Sequence, residues 1–251
     1  MLPVLQVGPL VLPTASLLTV LGLGAALWQA ERQANRQGLA GGVVYDMGMI
    51  GLLAGVAGAR LVYVVRFPEA FLNKPLEIVS LNAGLFAAWG GVAAGVLAAL
   101  GYGWRKGLPL WSTLDALTPS LAMMALVIAL AHAASGEAFG APANVPWAIE
   151  LWGERRHPTQ IYEALAAAVI LWTIWPRRAA GSEWPAGVRF LMFVALTAAG
   201  RLFLEAFRGD SWLLPLGLRG DQVVAWLVLA ASLWQLGKRL RPAPGQPENK
   251  P

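Results

Sequence analysis

Seven apolar stretches, most of them close to 20 residues long, constrain this chain more than any other feature. They run roughly from Leu10 to Gln29, Gly42 to Val65, Leu81 to Tyr102, Leu110 to Ala134, Gln160 to Trp175, Val188 to Phe207 and Gln222 to Leu236. A helix rising about 1.5 Å per residue needs about 20 residues to cross a hydrocarbon core about 30 Å thick, so most of these can span. The fifth is short; tilt, a start within the preceding loop or a thinned bilayer would each accommodate it. Only 13% of the 251 residues are charged and 57% are apolar. That charged share, about half the usual one, cannot cover a water-facing body. The expected fold class is therefore all-α: a polytopic membrane protein of about seven helices, with residues 1–241 forming one integral membrane domain and the Pro-rich, polar residues 242–251 a disordered tail. Met1 to Gly8 hold no Lys or Arg and no cleavage pattern follows, which predicts a retained first helix and not a signal peptide. No internal repeat is evident.

Basic residues divide unevenly between alternate sides of the ladder. Arg32, Arg36, Arg105, Lys106, Arg177, Arg178, Arg189, Lys238, Arg239, Arg241 and Lys250 fall on one side, eleven in all, against Arg66, Lys74, Arg155, Arg156, Arg208 and Arg219 on the other, which is six. The positive-inside rule then puts the N-terminus outside and the C-terminus in the cytoplasm. The net charge of +5 is accounted for by loops that meet anionic lipid, so no nucleic-acid partner is expected. Absence of cysteine excludes disulfides, thiolate metal sites and a cysteine nucleophile, and neither a metal nor a cofactor is expected.

Ionisable residues at membrane depth cost on the order of 3 kcal/mol each on insertion scales and usually face a bundle interior or water. Asp46 and Arg60 lie on one face of the second stretch, fourteen residues apart. Arg201, Glu205 and Arg208 form a stripe at i, i+4 and i+7 on the sixth, with Asp210 just beyond. This stripe reads as a functional surface, or else as a packing pair with snorkelling ends. The loop from about Gly136 to Thr159 adds Glu137, Trp147, Trp152, Arg155, Arg156 and His157 on the outer side, where planar guanidinium forks suit a phosphate. His132, near the outer end of the fourth stretch, is a candidate base or a histidine bonded to a backbone carbonyl. His157 is equally compatible with shaping the turn before Pro158. Outward arginines and interior carboxylates together suit the head group of an anionic lipid.

The run Arg156-His157-Pro158-Thr159-Gln160-Ile161-Tyr162-Glu163, preceded by Pro146-Trp147-Ala148 and by Gly136-Glu137 with Gly140, resembles the corresponding stretch of prolipoprotein diacylglyceryl transferases. Gly58-Ala59-Arg60 with Tyr63 and Pro68, Gly90-Gly91, Asp115 with Pro119, Arg201 with Glu205 and Arg208, and Gly220 with Gln222 match in the same order, from about residue 40 to 236. The octapeptide is the specific signal among these. The resemblance implies transfer of a diacylglyceryl group from phosphatidylglycerol to the lipobox cysteine thiol in the signal peptide of a preprolipoprotein, within the bacterial inner membrane and among its lipids. It places Arg201, Glu205, Glu137 and His132 at catalytic positions, and Arg60, Gly140, Arg156, His157, Tyr162 and Arg208 at substrate-binding ones. Trp89 stands where the family usually has a histidine, Ala129 where it has an arginine, His132 where it has an asparagine, and Thr14 where it has a tyrosine. A catalytically silent, lipid-binding relative and a small anion or lipid transporter are the alternatives.

Overall fold

The computed structural model describes residues 4–7, 10–72, 75–79, 86–176 and 184–241. The expected tail at 242–251, and Lys74, Arg177, Arg178 and Lys250 of the charge count, lie outside them. A short hairpin, β1 (Val4–Val7) with β2 (Leu10–Pro13), precedes α1 (Thr14–Arg36). Then come α2 (Gly41–Arg66), α3 (Glu69–Leu72), a 3-10 turn (Pro75–Val79), α4 (Ala88–Arg105) and α5 (Leu110–Ser135). The hairpin β3 (Ile149–Leu151) and β4 (Glu154–Arg156) leads to α6 (Thr159–Ile174), α7 (Val188–Leu204), a 3-10 turn (Glu205–Phe207) and α8 (Gly220–Leu240).

Helix dominates the described residues. Four segments are long and apolar enough to cross a membrane: Gly41–Arg66, Leu110–Ser135, Val188–Phe207 and Gly220–Leu240. This is a multi-pass membrane protein. The other three apolar stretches fall short for separate reasons. Leu10 to Pro13 belong to β2, so α1 begins at Thr14 and its last third is polar, with Gln29, Glu31, Arg32, Gln33 and Arg36. Residues 81–85 of the third stretch lie outside the described residues, glycines and Arg105 dilute the 18 residues of α4, and α6 is 16 residues long.

The chain forms two compact units, one of residues 30–113 and one of residues 1–29 with 114–251. In the first, α2 packs along α4. Small residues bring the two backbones together: a Cβ at Gly91 would stand 2.9 Å from the Gly55 carbonyl oxygen, and one at Gly95 would stand 2.7 Å from that of Gly51. Close approach of this kind replaces the hydrophobic effect, which lipid removes as a driving force between helices. Tyr102 of α4 donates a 3.4 Å hydrogen bond to Asp46 of α2.

In the larger unit α7 packs on α8 and on α6. The N-terminus of α7 is capped from a distance: Asp115 of α5 accepts the N–H groups of Gly187 (2.6 Å) and Phe190 (2.8 Å). Those amides have no partner within the helix, and a carboxylate satisfies them while meeting the positive end of the dipole. The β3–β4 turn is Trp152-Gly153, with φ of 57° and 80°, the left-handed pair that a tight two-residue hairpin demands.

Candidate functional site

In the larger unit the end of α7 gathers ionisable side chains from four elements. The helix gives way after Leu204 to a 3-10 turn, yet the stripe stays together: Arg201 Nε lies 3.4 Å and Arg208 Nε 3.8 Å from Glu205 Oε2. Glu205 is fully buried, and neither of its carboxylate oxygens has a donor in hydrogen-bond geometry among the described residues. A buried carboxylate in that state is tolerable only beside positive charge, which the two guanidinium groups supply.

Glu163, one turn into α6, binds the arginines together. Its Oε1 accepts from Arg201 Nη1 at 3.2 Å and from Arg208 Nη1 at 2.7 Å. Its Oε2 faces His132 Nδ1 of α5 at 3.9 Å. Arg201 also donates through Nη2 to Asp221 of α8 at 2.8 Å, and Arg208 forms a two-bond fork on Asp210 at 2.9 and 2.6 Å. Burial by itself would lower the Arg208 pKa, but the Asp210 bond and the Glu163 charge outweigh it and hold the group above the ordinary arginine range. Arg219 Nη1 closes the turn beneath, donating to the carbonyl oxygens of Glu205 and Arg208 and to Ser211 Oγ.

Beside the cluster the segment from Gly136 to Ala141 is held on both flanks by main-chain bonds. Ala141 N–H donates to Phe207 O and Gly209 N–H to Phe139 O, while His157 N–H donates to Ala141 O. Gly140 sits where a Cβ would run into the His157 carbonyl, so no larger residue fits without moving that strand. The same segment is pinned to the start of α6 by Thr159 Oγ1 to Ala138 O (2.7 Å) and Gln160 Nε2 to Glu137 O (2.9 Å). Thus the octapeptide and the Gly-Glu signature are two edges of one scaffold, and it sets Glu163 and His132 facing each other.

The sequence-predicted residues fall into three groups. Arg201, Glu205, Arg208 and His132 meet in the cluster. Gly140, Arg156, His157 and Tyr162 lie in the scaffold: Arg156 donates to Gly140 O and to Glu154, with its guanidinium over Phe139, and Tyr162 OH accepts from Trp147 Nε1 at 2.6 Å and lies 3.4 Å from His157 Nδ1. Glu137 contributes main-chain atoms there and its side chain is exposed. Arg60 belongs to the other unit, where it is buried, donates to the Ile78 and Glu77 carbonyls and lies over the rings of Phe71 and Phe86. Glu163, Asp210, Asp221 and Arg219 were not singled out as site residues from sequence. Glu163 stands inside the quoted octapeptide and could have been; Asp221 carries no signal beyond its place between Gly220 and Gln222.

A sequence model of the family described as prolipoprotein diacylglyceryl transferase matches residues 3–237. The chain belongs to that family. It is 30% identical to a phosphatidylglycerol–prolipoprotein diacylglyceryl transferase of Nostoc sp., over 96% of this chain and 92% of that one. Similar relatives of the same name occur in Synechococcus elongatus, at 27% identity over 90% of this chain and 82% of the relative, and in Streptomyces coelicolor, at 28% over 92% and 76%. In this member of the transferase family the arginines and carboxylates of the larger unit form one cluster around Arg201 and Glu163. Of the positions expected from sequence to differ from the family, Trp89 is 86% exposed and Ala129 is buried.

Proposed function

We propose that this protein transfers the diacylglyceryl group of phosphatidylglycerol to the lipobox cysteine thiol of preprolipoproteins, the first step of lipoprotein maturation, in the bacterial inner membrane. The observation that carries the reading is Arg201. Its guanidinium offers five N–H donors; among the described residues, single hydrogen bonds to Glu163 and Asp221 and the ion pair to Glu205 leave one N–H on each terminal nitrogen, and the side chain is 36% exposed. Those donors suit phosphate oxygens, where a planar cation meets the charge that grows on the leaving group.

In the reaction the thiol sulfur forms a bond to the glyceryl carbon that bears the phosphate, the carbon–oxygen bond breaks, and its electron pair leaves with glycerol phosphate. The thiol proton goes to His132, whose Nδ1 lies 3.9 Å from Glu163 Oε2, near enough for that carboxylate to stabilise the positive charge that the imidazole gains. Arg208 and Glu205 hold Arg201 and Glu163 in place, and Glu137, Gly140, Arg156, His157 and Tyr162 form the rim that receives the substrates. Arg60 serves lipid binding from the second helix. Seven spans with the N-terminus outside and the C-terminus cytoplasmic complete the reading, supported by the eleven-to-six charge split. A cytoplasm-dependent reporter fused after Arg241 should be active and one fused within residues 140–154 silent; the reverse would overturn this orientation.

Trp89 and Ala129 favour one other reading, a silent relative that binds phospholipid without transferring it. His132→Asn separates the two. A general base contributes about a hundredfold or more to turnover, so the transferase reading requires His132→Asn to lower transfer to a lipobox peptide by about that factor in phosphatidylglycerol vesicles. Equal turnover by parent and variant would place the base elsewhere, and none by either would favour the silent relative.

A further inference from the structure

We infer that Asp221, tied down by the indole of Trp212, is a positioning residue that aims the Arg201 guanidinium at the phosphate of the lipid. The inference rests on the transferase reading for the identity of that lipid. Glu163 and Glu205 hold Arg201 on its buried side, at Nη1 and Nε, and Asp221 holds the remaining nitrogen, Nη2, at 2.8 Å. The other oxygen of Asp221 accepts from Trp212 Nε1, also at 2.8 Å. Each carboxylate oxygen of Asp221 thus has one partner, and the second fixes the direction of the first.

Trp212 is itself fixed by the loop that carries it. Gly220 N–H donates to the Trp212 carbonyl at 3.1 Å, Leu213 pairs with Arg219, and the Trp212 ring fills the space a Cβ on Gly220 would need. The loop between the end of α7 and the start of α8 therefore closes on itself and presents Asp221 on the first turn of α8. Neither Asp221 nor Trp212 is buried, with 34% of the Asp221 side chain and 53% of Trp212 exposed, so the pair contributes little to the fold as a surface contact. Its consequence is geometric. Arginine has a long, flexible stem, and without Asp221 the guanidinium can turn about its two buried contacts.

Trp212→Phe keeps a ring over Gly220 and removes only the indole N–H; Asp221→Asn keeps shape and removes charge. Misplacement of a positioning group by about 1 Å can cost up to a hundredfold, so each variant should lower kcat/KM for phosphatidylglycerol by roughly tenfold or more. Each should also weaken lipid retention in detergent, with the unfolding temperature unchanged. In an Arg201→Lys background, where the fork is already lost, Trp212→Phe should add nothing to the loss of retention, since residues acting through one another are not additive. Equal losses in both backgrounds, unchanged kcat/KM, or tighter lipid retention by Asp221→Asn would overturn the inference; the last would make Asp221 a competitor of the phosphate. Should Asp221→Asn fail to fold, Trp212→Phe carries the same test. Retention is read without turnover, so an inactive parent would count against the transferase reading and leave this test standing.

Discussion

Arg60 and Arg201 both stand on apolar helices, and their surroundings differ in kind. Arg60 is 8% exposed and donates to the carbonyl oxygens of Ile78 and Glu77, between the rings of Phe71 and Phe86. Arg201 keeps a third of its side chain exposed and is surrounded by Glu163, Glu205 and Asp221. Main-chain carbonyl oxygens and aromatic faces around a buried guanidinium suit anchoring a segment of chain. Carboxylates set one at each nitrogen of a guanidinium fix its aim and leave its other donors for a ligand. The two units differ in the same sense: residues 30–113 are knit by backbone approach at Gly51, Gly55, Gly91 and Gly95, whereas the larger unit converges on an ion cluster.

The largest effect that would break this contrast is expected at Arg201. Arg201→Ala should weaken phosphatidylglycerol retention by about 2 to 5 kcal/mol, the cost of removing one partner from a desolvated charged contact, and Arg201→Lys should recover it in part. Native mass spectrometry of the detergent-solubilised protein measures both. Arg60→Ala should lower unfolding stability by about 3 kcal/mol, since hydrogen bonds to a charged group contribute about 1.5 to 3 kcal/mol each. The lipid-binding role proposed for Arg60 predicts an added loss of lipid retention, and retention unchanged in the folded fraction would leave Arg60 an anchor alone. Gly95→Ala should cost about 1 to 3 kcal/mol by overpacking the α2–α4 seam, with lipid retention unchanged in the folded fraction. Asp115→Ala, which uncaps α7, should cost about 1 to 2 kcal/mol by thermal unfolding. It should also shift kcat little, because the cap lies at the opposite end of the helix from Arg201.

Much of the fold was legible because lipid imposes a simple rule of length and apolarity, and five of the seven stretches correspond closely to α2, α5, α6, α7 and α8. Leu10 to Pro13 were misread as helix because a short apolar run has no period that separates strand from buried helix. The Arg201, Glu205 and Arg208 stripe was legible from spacing within one segment. Its partners were not: Glu163 reaches it from 38 residues away in the chain and Asp221 from 20, and such pairings arise from helix packing that no local pattern encodes. Arg219 looked like an ordinary outer-loop cation and proves to bind the Glu205 and Arg208 carbonyls. Glu137 was singled out because it closes a signature; its carbonyl accepts from Gln160 and its side chain is exposed, neither of which the sequence indicated.

The central claim is that the cluster around Arg201 turns over phosphatidylglycerol, and it is tested most directly by the purified protein in phosphatidylglycerol vesicles with a lipobox peptide. The account predicts a thioether-linked diacylglyceryl group on the peptide cysteine, release of glycerol phosphate in equal amount, and loss of both with Arg201→Ala. A parent protein that retains phosphatidylglycerol but leaves the cysteine unmodified, or an Arg201→Ala variant that modifies it at the parent rate, would contradict it.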